Sequence, residues 1–204
     1  AGNTYTQQPL LQKLSVVNAE WPKQPEAKEL TATTAISGNT SFNQWIATHL
    51  QLVEQTLRNR STPSLTTAQK QNRTHLLDEL NGYWKAGVFP VNDYLPYKNP
   101  VFIDRKGTHC AVGYLMMQSG HDDLAQRIDR NEKFAYVHEI KTAGVAQWAD
   151  EYGFTVDELA WIQPGYPPTT QTFDMDSGLN GTVNTIVPDL IGQTIYVGGS
   201  FLHT

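Results

Sequence analysis

Residues 41–59 read SFNQWIATHLQLVEQTLRN. Phe42, Trp45, Ile46, His49, Leu50, Val53 and Leu57 recur there at steps of three and four, the period that lines side chains along one face of an α-helix. Thr40 or Ser41 supplies the N-cap, because a short hydroxyl accepts a hydrogen bond from a first-turn amide that has no partner inside the helix. A Ser/Thr-rich break from Ser61 to Thr67, containing Pro63, separates this segment from a second, capped by Thr66 or Thr67. There Leu76, Leu77, Leu80, Tyr83 and Trp84 line one face. The two segments, 41–59 and 68–84, are therefore expected to form antiparallel helices around a core containing Trp45, Ile46, Val53, Leu76, Leu77 and Leu80.

Residues 1–40 are rich in Gln, Thr, Ala and Pro, with Pro9, Pro22 and Pro25 as breakers and one apolar stretch at Leu10, Leu11, Leu14, Val16 and Val17. An extended arm or short strand packed on the domain is expected. From Gly87 to Pro100, three prolines lie among Phe89, Tyr94 and Tyr97, which marks a loop that packs aromatics. Val101-Phe102-Ile103 reads as a short strand and Asp104–Gly107 as a turn. Thr108 or His109 then starts a helix that ends near Gly120. Short helices are expected over His121–Arg130, Ala135–Ile140 and Thr142–Tyr152, the last stopped by Gly153. Thr155-Val156-Asp157-Glu158 is a capping box ahead of Leu159–Ile162, and Pro164-Gly165 ends that helix.

Residues 41–168 thus read as a mainly α, compact multi-helix domain with a short strand or hairpin. After Tyr166 the composition changes. Residues 169–204 are expected to hold a linker and the first strands of a truncated β-repeat region, since Ile195, Val197 and Phe201 share period-two parity. The phrase IYVGGSF (195–201) resembles one unit of the β-propeller-type repeats of bacterial surface proteins. The resemblance covers about 25 residues and implies that neighbouring units follow, because such repeats bury their faces by stacking. The helical part resembles uncharacterised exported bacterial domains that pair HCAVGYLM (109–116) with GFTVDELAWIQPGY (153–166), a resemblance that implies no activity.

With 39% hydrophobic residues and a mean hydropathy of −0.44, the chain has the composition of a globular protein. Its net charge is −5 and its 15 Lys and Arg are scattered, so no basic stripe exists to neutralise a phosphate backbone, and nucleic acid is excluded as an expected partner. The longest apolar run, Cys110–Met117, makes about two helical turns where about 20 residues are needed to span a bilayer, so no membrane insertion is expected. Ala1-Gly2-Asn3-Thr4 lacks an initiator Met, and charged residues are sparse at 17% while Thr, Gln and Asn abound. The protein is expected to be secreted or on the cell surface, with a signal peptide removed before Ala1.

The lone cysteine, Cys110, cannot form an internal disulfide. At a helix start the amide dipole favours its thiolate, and with His121 or His138 as base it would serve a cysteine-dependent hydrolase or transferase. His109 is poorly placed for that role, because adjacent helical residues point about 100° apart. The plainer reading makes Cys110 a small buried hydrophobe. No metal site is expected. His138-Glu139 begins like a zinc-protease helix but has Thr142 where the second His must stand, and Asp174–Gly178 lacks the turn Gly and bidentate Glu of a calcium loop. No cofactor is expected either. Phe89, Tyr94 and Tyr97 on the Pro-rich loop are the candidate ligand-binding residues, whereas Trp45, Trp148 and Trp161 sit on apolar stripes. The leading expectation is a non-catalytic, exported binding or assembly module of a larger bacterial cell-surface protein. Its partners would be a protein or cell-surface glycan and the downstream β-repeats of the same polypeptide.

Overall fold

The computed structural model describes residues 10–27, 29–30 and 41–167, with the backbone of 182–189 and 194–200. The chain is mainly helical. Among the described residues helices run over α1 (Leu10–Val17), α2 (Phe42–Asn59), α3 (Thr67–Ala86), α4 (Ala111–Gln118), α5 (Asp122–Glu132), α6 (Val145–Glu151) and α7 (Val156–Ile162), with single 3-10 turns at Trp21–Lys23 and Val137–Glu139.

Capping fixes where α2 and α3 begin. The Ser41 hydroxyl accepts from the Gln44 amide at 3.3 Å, and the Gln44 side chain accepts from the Ser41 amide at 2.6 Å. Thr66 and Gln69 repeat the arrangement at α3. Gly87, at φ 66°, closes α3 in the left-handed conformation that costs glycine least. Arg73 donates to the Leu57 carbonyl and Asn81 to Glu54, so the chain runs up one helix as it runs down the other: the pair is antiparallel. Ile46, Val53, Leu76, Leu77 and Leu80 are buried between them as expected. Trp45 differs, being only partly buried against the core with the Lys13 ammonium 5.6 Å from its ring centroid.

Within the N-terminal segment, Leu10–Val17 is helical and not the extended arm or short strand that the sequence predicts. Leu10, Leu14 and Val17 follow helical spacing, and α1 buries Leu14 and Val17 completely or nearly so. Behind it Trp21 is fully buried, and its indole N–H donates to His49 Nδ1 at 2.8 Å. His49 Nε2 in turn faces the Ile162 carbonyl at 3.3 Å, which makes it the protonated nitrogen of a neutral ring. Asn18 shares its amide hydrogens among the carbonyls of Ala160, Trp161 and Gln163. The Val17 carbonyl accepts from both Gly165 and Tyr166. The first and last described helices are thus joined through buried polar groups, each of which has a partner.

At the other end of the domain the expected strand 101–103 reduces to one isolated bridge, Ile103 to His109. Its backbone is satisfied elsewhere: the Phe102 amide donates to the Lys133 carbonyl and the Ile103 amide to Asp129. The helix expected over Ala135–Ile140 is a single 3-10 turn, and α6 starts at Val145 behind Gly144 at φ 108°. Between them the Glu132 carboxylate accepts from the amides of Lys141 and Thr142, which holds that stretch as a loop. The Thr155–Glu158 capping box is present, and Glu158 also receives both guanidinium ends of Arg73 at 2.8 and 2.9 Å. The linker expected after residue 168 lies outside the described residues.

Two outcomes follow from these buried polar groups. Burial lowers the His49 pKa from 6.5 to about 4, so the unfolded chain takes up a proton before the folded one does. The stability His49 protects is fully present above pH 6.5 and is lost as the pH falls toward 4. Chemical denaturation should show a loss of about 2 kcal/mol between pH 7 and pH 5, and His49→Gln should flatten that slope while lowering stability at pH 7. Glu158→Ala strands a buried guanidinium and should cost about 3–5 kcal/mol in the same assay. The double variant Arg73→Met, Glu158→Leu should recover part of that loss.

Candidate functional site

Cys110 occupies the N-cap of α4, positioned by a hydrogen bond from its amide to the Phe102 carbonyl at 2.8 Å. Its sulfur accepts from the Gly113 amide at 3.3 Å, so the thiol itself does the capping. Helix and neighbouring loop close tightly because residue 113 has no side chain: a Cβ there would lie 3.0 Å from Phe102 Cε1. Cys110 is 1% exposed. Burial raises its pKa to about 12 against the lowering effect of the Gly113 and Val112 amides, so it stays protonated at neutral pH.

The candidate bases have other partners. His121 Nδ1 donates to the Ser119 carbonyl at 3.0 Å, and its ring stands edge-on to Tyr152. His138 is exposed, 3.8 Å from both Glu20 and Asp157. His109 Nε2 meets Asp122 at 3.1 Å. Among the described residues no hydrogen bond joins Cys110 to His121 or His138. His138 borders a cleft of about 50 Å³ lined also by Asn18, Glu20, Tyr136, Gln163 and Pro167, which has room for one or two waters. Cys110 does not line it. Among the described residues no group of three or more His, Cys, Asp or Glu could hold a metal ion, and the Asp174–Gly178 segment lies outside them.

The loop from Gly87 to Pro100 separates the three aromatic candidates. Phe89 is 7% exposed with its ring edge-on to Tyr83 at 5.5 Å. It belongs to the core and corrects the expectation of a ligand contact there. Tyr94 is half-buried between Phe134, the Arg105 guanidinium at 4.0 Å and the Lys133 ammonium at 5.2 Å. Tyr97 is 48% exposed, and Val88 and Val91 are each 62% exposed. The two valines were not expected to matter. The signal for them is aliphatic side chains inside a segment with no helical or strand period, which leaves them no element face to pack.

Side-chain hydrogen bonds hold this loop at both ends. The Asp104 carboxylate accepts from the amides of Val91, Lys106 and Thr108. Burial alone would push the acid up, but those amides and the Thr108 hydroxyl outweigh it and hold it below the usual carboxylate range. Asn92 accepts from the Tyr94 and Leu95 amides and donates to the Asn99 carbonyl. Asn99 donates to the Phe134 carbonyl at 2.9 Å, tying the far end of the loop to the segment after α5. Lys98 reaches back over the Phe42 ring with its ammonium 3.7 Å from the centroid.

Compared with protein-family models, with curated proteins and with solved structures, the chain matches none of them.

A capping, buried thiol should be slow to react. Native protein at pH 7 should resist a thiol-specific reagent until denaturant is added. Cys110→Ala should lower stability by about 1–2 kcal/mol through lost packing and capping.

Proposed function

We propose that the helical domain is a non-catalytic binding or assembly module of a larger exported protein of the bacterial cell surface, and that it engages its partner through the Gly87–Pro100 loop. The observation that carries this reading is that Val88, Val91 and Tyr97 stand exposed on a loop held by side-chain hydrogen bonds. Exposed apolar side chains on a fixed backbone favour association, because little ordering entropy remains to be lost on contact. The cysteine-dependent alternative needs a thiolate near a base. Burial of Cys110 and the separate engagements of His121 and His138 weigh against it. Export rests on composition. The larger parent protein rests on the resemblance of residues 195–201 to surface repeats, which would place a short β-segment and further β-repeats beside the helical domain.

The test is site-specific photo-crosslinking on producing cells. A photoreactive phenylalanine at position 91 or 97 should give discrete adducts, and one at Gln147, exposed on α6, should give none. Adducts of the same size from all three positions, or from none, would overturn the assignment of the loop.

A further inference from the structure

This inference rests on the reading of the Gly87–Pro100 loop as a binding surface and names the chemistry of what it binds. We infer that the partner is an acidic protein segment carrying apolar side chains, which seats on Val88, Val91 and Tyr97 inside a rim of lysines.

Charge along the chain is uneven in a way that matters here. Residues 85–106 hold Lys85, Lys98, Arg105 and Lys106 against Asp93 and Asp104, four minus two, or +2. The whole chain is −5, so the remaining residues sum to −7. The two local carboxylates are already occupied. Asp104 is buried and accepts from three backbone amides, and Asp93 pairs with Arg105 at 3.0 Å. Among the described residues Lys85, Lys98 and Lys106 form no ion pair with a carboxylate, and all three are exposed to some degree. Two of the ammoniums lie over rings, Lys85 over Trp84 and Lys98 over Phe42.

The backbone positions that carry the lysines and the apolar residues are neighbours. The backbone amides of Val91 and Lys106 donate to the two oxygens of one carboxylate, Asp104, which brings the two residues side by side. Lys98 directly follows Tyr97, and Lys85 stands three residues before Val88 at the end of α3. Lys98 is partly desolvated, and burial lowers its pKa. An ammonium that has lost water without gaining a counter-ion gains when a carboxylate arrives. An apolar centre with a charged rim is the arrangement of transient protein interfaces, where the rim selects partners by complementary charge. Three lysines are too few for a phosphate backbone, whose binding rests on many simultaneous neutralisations.

The experiment uses the whole chain and fluorescence anisotropy. The probes are a labelled peptide of alternating Glu and Phe, its counterpart with Lys for each Glu, and a sulfated oligosaccharide. The Glu peptide should bind at least about tenfold more tightly than the Lys peptide, and its affinity should fall about fivefold between about 50 and 300 mM salt. Lys98→Glu combined with Lys106→Glu should abolish that preference, with circular dichroism and thermal midpoint unchanged. Val91→Ser with Tyr97→Ser should weaken both peptides. Equal binding of the two peptides, no binding of either, or tighter binding of the oligosaccharide would overturn the acidic-protein assignment. If adducts still formed at positions 91 and 97, the loop would remain the binding surface with a partner of other chemistry. Loss of those adducts would remove both readings.

Discussion

Arg73 is 5% exposed, and its charge is tolerable there because both terminal nitrogens of the guanidinium have acceptors. Glu158 receives it bidentately, the Gly153 carbonyl accepts at 2.6 Å, the Leu57 carbonyl at 3.3 Å, and the Phe154 ring stacks 4.6 Å away. The cation comes from α3 and its partners from the end of α2, the turn after α6 and the first turn of α7, so one cation fixes the relative placement of four segments. Glu158 serves twice, since the oxygen that holds Arg73 Nη1 also accepts from the Thr155 amide and completes the cap of α7. Arg60 adds a longer contact to Glu158 and grips Glu26 bidentately, which carries the network into the N-terminal segment. An apolar replacement of similar volume can match such a pair in stability. What it cannot supply is direction: hydrogen bonds admit one register, whereas leucine-like surfaces admit several.

Close approach accompanies that network. Gly153 sits at φ 68° with a virtual Cβ 2.9 Å from the Gln69 carbonyl, so the turn before α7 presses on α3 where no side chain could fit. The same economy appears at the opposite face. Asn18 and His49 are buried polar side chains, and each spends its capacity on the carbonyls that α7 leaves unpaired at its C-terminal end. The small cleft beside Asn18 and Gln163 is therefore bordered by groups already committed to architecture.

What was legible in the sequence was the part dictated by short-range periodicity. The α2 and α3 stripes and the caps at Ser41, Thr66 and Thr155 need only neighbours within four residues, and they form where expected. Features set by distant partners left no local signal. His49 sits on the apolar stripe of α2, and nothing local shows that Trp21, 28 residues before it, and Ile162, 113 residues after it, bracket its ring. Val101-Phe102-Ile103 has strand composition, but Lys133 and Asp129 take its amides before any sheet can. The prolines flanking α1 pointed to an extended arm. The steps from Leu10 to Leu14 to Val17 carried the opposite signal over too few residues to prevail. Phe89, Tyr94 and Tyr97 share one loop and one composition, and only the packing of Tyr83 against Phe89 separates core from surface.

Cys110 shows how magnitude decides between two readings of one residue. A helix N-terminus favours a thiolate by about 0.3–1 kcal/mol at exposed positions and about 2 in partly buried ones. The rise of this thiol from 9.0 to about 12 corresponds to about 4 kcal/mol in the opposite direction. Desolvation wins even though two amides point at the sulfur. The protonated sulfur then works as a compact cap, small enough for α4 to begin directly under Phe102 and apolar enough to lie in the core. With Cys110 fixed in that role, Phe102 seated over Gly113 and Asp104 clamping both its own turn and Val91, the segment from 102 to 113 becomes the rigid base of the Gly87–Pro100 loop. A loop held this way keeps Val88, Val91 and Tyr97 in water at a hydration cost, and that cost is recovered only when another surface covers them.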